Sequence, residues 1–336
     1  MRRPLKLVPF GVAFALLASA CNYAYGPFIT RVDGPVVLTG ADIGIASAAL
    51  APDRVAAFRW NDKTSAWAQL PLQVDERRSI DFGAAPGNNT SAGVAGTVYG
   101  SGVNSGVTAV VYADADTWVG ADPDATIDAD DELVFLSRDA GPAAPGGTAA
   151  PGVASGAFSK RVALVDPDGG TPGYVYLFST NPGTDPAAGI DLVDYTFALD
   201  SGPYKTTYKR ADGPNPESSV VSTSHYTMGF GDRWITDEMR SNWGTDVDIL
   251  DGHKSQFAFS TCGRSNVTFA DAEGAFIANI DGPLRAIRSY IGANSGPLTQ
   301  RTEYFYEDRY EQVTDLRCTP SPASCRSGTG APPRRA

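Results

Sequence analysis

The sequence predicts an all-β protein of antiparallel, sandwich-like domains with little helix. Three observations predict it. Short apolar or alternating runs recur between Gly, Pro and Asn turn signals. No long stretch carries the 3.6-residue period of an amphipathic helix. Charged residues make up only 19% of the chain, below the share usual for a helical soluble protein.

The runs can be taken in order. Gly34 to Gly40, Val107 to Tyr112, Glu132 to Leu136 and Arg161 to Val165 each read as a strand, as do Gly173 to Phe178, Gln256 to Ser260, Ala275 to Asn279 and Leu284 to Tyr290. Asp166 to Pro172, rich in Asp, Gly and Pro, separates two of them and reads as a hairpin loop. Asp237 to Asn242 reads as a helical turn. The stretch from Asp139 to Gly156 is almost entirely Pro, Gly and Ala. A structureless segment of that length is uncommon inside one compact domain. The chain is therefore expected to divide there, with a first β domain over 27–140, a linker over 141–157 and a second β domain over 158–317. A Gly/Asn/Ser-rich loop, Gly83 to Gly106, interrupts the first.

The N-terminus predicts export. Arg2, Arg3 and Lys6 precede an apolar run from Leu7 to Ala20, too short to span a bilayer. Residues 1–21 are thus a signal segment, and two processing readings compete. Ala18 and Ala20 form an A-x-A site for ordinary signal peptidase. The same stretch is similar to a lipobox, with Cys21 the lipidated first residue of the mature chain. Small residues before a lone cysteine favour the lipoprotein; Ala18, where Leu is commoner, weighs against it. The protein is accordingly expected outside the cytoplasm, membrane-anchored through Cys21 or freely secreted.

The chain of 336 residues carries a formal charge of −11, which falls to −14 when the three cations of the signal are removed. Such acidity argues against a nucleic-acid partner and suits carboxylate sites for Ca²⁺ in an extracellular setting.

The last residues, 318–336, change composition abruptly. After Arg317 there is no aromatic residue, and Cys, Pro, Ser, Thr, Gly, Arg and Ala make up the rest. That composition suits a flexible tail. It is equally what a GC-rich gene yields when read out of frame, and the frameshift is the favoured expectation, with the second domain cut short. If Cys21 is lipidated and Cys318 and Cys325 are artefacts, Cys262 is a lone thiol and no disulfide supports the fold.

Three constellations could carry chemistry. An acidic run holds Asp122, Asp124, Asp128, Asp130 and Asp131 and ends at Glu132, with Asp75 and Glu76 able to face it. Crowded carboxylates repel unless solvated or bound to a cation, so Ca²⁺ is a candidate cofactor and a solvated acidic turn the plainer alternative. The spacing is not that of an EF-hand. Second, Leu284 to Tyr306 reads as strand, tight turn and returning strand. Alternation places Arg288 and Tyr290 on one face, with Arg301 and Glu303 sharing a face on the return. With Asn294 in the turn, this face suits a sugar or a uronate carboxylate; a cross-strand ion-pair ladder on a solvated face is the alternative. Third, His225 and His253 are the only histidines. With Asp248 or Asp251 they could hold a metal or act as general base. Arg233 and Trp234 add a stacking surface for sugars, or belong to the core.

The chain has no G-x-S-x-G, H-E-x-x-H, P-loop or C-x-x-C, and no G-x-G-x-x-G that follows a strand. These absences lower the serine hydrolase, zinc protease, NTPase, dinucleotide enzyme and thioredoxin-like classes.

Leu70 to Glu76, Asp130 to Phe135 with Asp139-Ala-Gly141, Asp248 to Lys254, and Glu273 through Pro297 together resemble a family of exported bacterial β-rich proteins without an assigned activity. The likeness covers most of the chain up to Arg317. It implies an envelope location and a β fold, and it transfers no catalytic residue. The family continues past the point where this chain turns to Pro, Ser and Arg.

Two functions follow as expectations. One is an envelope-anchored or secreted protein that binds extracellular polysaccharide, with lyase or hydrolase chemistry from His225, His253, Arg288 and Tyr290 and substrate contacts from Arg301, Glu303, Asn294, Arg233 and Trp234. The other is a non-catalytic, Ca²⁺-stabilised surface, adhesion or structural module.

Overall fold

The computed structural model describes residues 34–82, 108–154, 158–200, 216–242, 246–254, 274–293 and 299–316. They fold into antiparallel sheets with only short helical turns, the all-β, sandwich-like class read from the sequence.

The first sandwich has two facing sheets. In one, β1 (Pro35–Thr39), β7 (Glu132–Leu136) and β4 (Gln73–Asp75) lie side by side in that order. In the other the order is β3 (Ala66–Leu70), β2 (Val55–Asn61), β9 (Gly173–Ser179) and β8 (Ser159–Leu164). Alternation turns Val55, Ala57, Val175 and Leu177 inward against Leu133 and Phe135 of β7. A single turn of helix, α1 (Gly40–Ile43), follows β1. Thr39 caps it, and Asp42 returns the hydrogen bond to the Thr39 amide. It delivers Ile43 to the same core.

The second sandwich faces β10 (Val193–Thr196), β11 (Pro216–Thr223), β12 (Tyr226–Asp232) and β13 (Glu238–Ser241) against β14 (Gly274–Ile280), β15 (Arg285–Gly292), β16 (Thr299–Tyr306) and β17 (Tyr310–Leu316). Val221, Met228 and Phe230 meet Ala286 and Phe305 between the sheets. The β14–β17 sheet is buried on its other face as well, where Ile287 and Ile291 pack on Ile80 and Val111. Those residues belong to the hairpin of β5 (Arg77–Asp81) and β6 (Thr108–Tyr112). A bulge at Ile277 lets neighbouring residues of β14 serve both sides. Phe276 packs beside Tyr290, while Ile277 joins Ile287 and Ile291. The Ile277 carbonyl accepts a hydrogen bond of 2.6 Å from the buried Thr117 hydroxyl, so the bulge leaves that group satisfied.

Two expectations need correction. The division at 141–157 does not separate independent sheets: β2 pairs with β9 across it, and the β5–β6 hairpin shares a core with β14 and β15. The described part of that segment is a strap across the outer face of the β3–β2–β9–β8 sheet. Gly141 bridges Tyr174, Val153 bridges Thr180, and Ala150 is buried against Ala56 and Phe58. A side chain at Gly141 would meet the Trp60 carbonyl at 2.7 Å, which explains the glycine. The second correction concerns the helical turn expected at Asp237 to Asn242. Residues 238–241 form β13 instead, paired with β12 from Tyr226↔Ser241 to Gly229↔Glu238. Sheet pairing overrides the helix preference of Glu, Met and Arg. The expected strand at Gln256 to Ser260, the signal segment with Cys21, the turn residue Asn294, Cys262 and the tail from 318 all lie outside the described residues.

Candidate functional site

The register of β15 against β16 sets Arg288 opposite Glu303 and Tyr290 opposite Arg301, so the four share one face as alternation requires. That face is turned inward. Arg288 and Arg301 are each 1% exposed, Glu303 2% and Tyr290 4%. Arg288 reaches across to the other sheet. Its Nη1 and Nη2 donate to the two carboxylate oxygens of Glu217 at 3.0 and 2.5 Å. Nη1 also donates to the Tyr195 hydroxyl, and Nη2 to the Arg233 carbonyl. The guanidinium lies 4.3 Å from the Phe230 ring centre and 4.9 Å from that of Phe276. Burial works against the charge on Arg288, but the Glu217 carboxylate outweighs it and holds the guanidinium protonated. Glu303 accepts hydrogen bonds from Tyr290, Tyr310 and Gln312.

This interior ion-pair framework corrects the expected substrate face. A uronate or sugar cannot reach Arg288, Tyr290, Arg301 or Glu303, whose surroundings are protein on both sides. Burial, and then the charge of Glu303, pushes the Tyr290 phenol above its ordinary range, the opposite of what a catalytic base needs. Arg233 and Trp234 are also internal, at 0% and 4% exposure. Trp234 packs on Phe276 and Tyr290, the core role given above as the alternative.

The two histidines are not brought together. His225 lies in the turn between β11 and β12, where its Nδ1 is 2.9 Å from the Ser224 hydroxyl and Thr223 Oγ1 accepts from its amide. His253 exchanges backbone hydrogen bonds with Thr236, beyond the far end of β12. The length of that strand puts the two about 20 Å apart, too far to share a metal or a proton. Asp248 does not join them: its carboxylate accepts the amides of Met239 and Leu250.

A second ionic cluster, partly unforeseen, joins the sandwiches. Arg285 donates through Nε and Nη2 to Asp75 at 2.9 and 2.7 Å, and through Nη2 to Glu132 at 2.5 Å. Arg77 and Tyr112 complete the shell of Glu132. Gln73 donates to Asp75 and to the Arg285 carbonyl and accepts the amides of Leu284 and Arg285. The side chain of Gln73 leaves no room for a Cβ at residue 282, where glycine stands.

The acidic run is an ordered turn in which carboxylates serve backbone amides. Asp122 accepts from residue 124, Asp124 from 126 and Asp128 from 130; Asp131 accepts from 128 and from Arg77. Burial, and then the hydrogen bond and charge of Asp128, push Asp130 up to about 6. Burial and the charges of Asp131, Asp122 and Asp124 raise Glu76, which does face the run. Among the described residues, no group of three or more His, Cys, Asp or Glu is gathered as a metal would need.

One surface feature was not singled out from the sequence. Opposite the first core, the β3–β2–β9–β8 sheet turns outward Phe58 and Trp60 from β2, Trp67 from β3, and Tyr174, Tyr176 and Phe178 from β9. Trp67 packs edge-on against Trp60, Tyr176 and Phe178 with ring centres 5.0–5.5 Å apart. Tyr176 and Phe178 are parallel to within 8°. The strap covers part of this row, and its Ala144 amide donates to the Tyr176 hydroxyl at 2.7 Å. Trp67, Tyr174, Tyr176 and Phe178 stay half-exposed. The signal was present in Tyr174 to Phe178, where aromatic and aliphatic residues alternate strictly. Comparison with family models, characterised proteins and solved structures returns no match to this chain.

Proposed function

We propose that this is an exported, non-catalytic module that binds polysaccharide on the aromatic outer face of the β3–β2–β9–β8 sheet. The observation that carries the reading is that row of half-exposed rings. Aromatic faces offer sugar C–H groups a flat apolar surface, and the Tyr hydroxyls supply polar contacts at its edge. Catalysis is set aside because, of the four residues on which it rested, Arg288 is spent on Glu217 and Tyr290 on Glu303 inside the fold, and His225 and His253 lie at opposite ends of β12. The test is a panel of acidic and neutral polysaccharides, scored for binding and for reducing ends or unsaturated products. Binding without turnover, lost in Trp67→Ala and Tyr176→Ala, is the expected result. Turnover that disappears on changing His225 or His253 would restore the enzyme.

A second reading, a Ca²⁺-stabilised surface module, is favoured by the crowding around Asp130. Burial, and then the hydrogen bond and charge of Asp128, raise that carboxyl, and a cation would offset both the lost solvation and the repulsion. The same samples decide it: Ca²⁺ should then raise the melting temperature of the wild type and not of Asp130→Asn.

A further inference from the structure

We infer that the ligand of the aromatic face is an acidic polysaccharide, a chain bearing uronate carboxylates, and that Arg161 selects it. This rests on the polysaccharide-binding reading and adds the charge of the ligand and the residue that recognises it.

Arg161 stands on β8 opposite Tyr176, with its side chain on the same outward face. It is exposed, and its guanidinium carbon lies 5.2 Å from the centre of the Tyr174 ring. Ring contact restrains the guanidinium while leaving N–H edges open to solvent. Among the described residues no carboxylate pairs with it. Arg77, Arg138, Arg285 and Arg288 each hold at least one.

The charge around it is as informative. The chain has 38 Asp and Glu, yet none of the side chains that alternation turns outward on these four strands is acidic. The row consists of Trp67 and Gln69, Ala56, Phe58 and Trp60, Tyr174, Tyr176 and Phe178, and Ser159, Arg161 and Ala163. The strap from Gly141 to Ala154 has no charged residue at all. Among the described residues, an acidic protein thus turns no carboxylate outward from these four strands and places over one of their rings a cation that no described carboxylate holds. The complement of that face is an anion with an apolar side. A uronate unit offers both: the C–H face of the ring for Tyr176 and Phe178, and a carboxylate that can accept two N–H groups from Arg161. A neutral glycan would use the rings and leave the cation idle.

The experiment uses the full chain and two forms of one polymer, polygalacturonate and its fully methyl-esterified derivative, with alginate as a second uronate and a neutral β-glucan and xylan as controls. Affinity electrophoresis or calorimetry gives the dissociation constants of wild type, Arg161→Gln and Trp67→Ala. We expect the uronates to bind and methyl esterification to weaken binding. We also expect Arg161→Gln to weaken uronate binding about tenfold, the loss of one charge-assisted contact, and added salt to reduce the difference. Arg161 is at the surface, so its variant should keep the wild-type melting temperature, which is measured alongside. Equal binding of the charged and esterified polymers, or uronate binding unchanged in Arg161→Gln, would overturn the acidic ligand and leave the polysaccharide-binding reading in place. Binding of none of the polymers would overturn both.

Discussion

Arg288 is the residue on which the second sandwich turns. It carries a full charge between two sheets, and its stability depends on geometry rather than on burial alone. Glu217 grips it with both oxygens, while Glu303 lies 3.6 Å from its Nε. Removing one member of a buried pair leaves the other charge stranded, at a cost of about 3–5 kcal/mol. Glu217→Gln should therefore lower the urea midpoint by a matching amount, with the fold retained by far-UV circular dichroism. The double variant Glu217→Leu with Arg288→Met should recover only part of that loss, because the apolar pair needs no partner but Glu303, the Tyr195 hydroxyl and the Arg233 carbonyl still lose Arg288. A Glu217→Gln cost below about 1 kcal/mol, the scale of an exposed pair, would mean that Glu303 takes over the guanidinium. Sequence alternation located this face correctly and misjudged what it faces. The same period of two describes a sheet side in water and one against another sheet. What separates them is Glu217, 71 residues away in the chain, which no local pattern connects to Arg288.

At the level of elements, short apolar or alternating runs between turn signals were legible: β1, β6, β7, β8, β9, β14 and β15 all fall on such runs. The failures have physical causes. β13 is made of helix-favouring residues and exists because β12 offers it a ladder. The strap reads as a linker because Pro, Gly and Ala are common in both, and only the rings beneath explain why small residues suit it. The acidic turn is a further element whose composition was plain and whose behaviour is now testable. Asp130 has a folded pKa of about 6, above the ordinary carboxylate value. A group raised in this way contributes stability that is complete below its unfolded pKa and is lost as pH rises through its folded one. Asp130→Asn should thus melt higher than wild type near pH 7.5, and the difference should shrink as pH falls toward 4. A difference independent of pH would mean that Asp130 titrates normally and that the turn tolerates its charges.

Contacts across the expected boundary at 141–157 tie the described residues into one unit. Residues 27–140 contain β2 and β3 but not β8 and β9, so that fragment lacks two of the four strands of one sheet. It would also expose the β5–β6 hairpin face that Ile287 and Ile291 cover, and would leave Asp75 buried beside no guanidinium. Residues 158–317 would in turn expose Val175 and Leu177, which need Leu133 and Phe135. Each half therefore keeps unpaired strand edges and bare apolar faces, the conditions for aggregation. Expressed alone, both fragments should be insoluble or unfolded, and expressed together they should assemble into a soluble pair. In the intact chain, calorimetry should give a single transition. Cleavage within the exposed stretch Pro145–Ala149 of the strap should leave the two pieces associated, since the β2–β9 ladder and the Arg285 cluster hold them. Two independently soluble fragments, each with its own cooperative transition, would restore the two-domain division and reduce the ionic cluster at Arg285 to a contact between separately folded bodies.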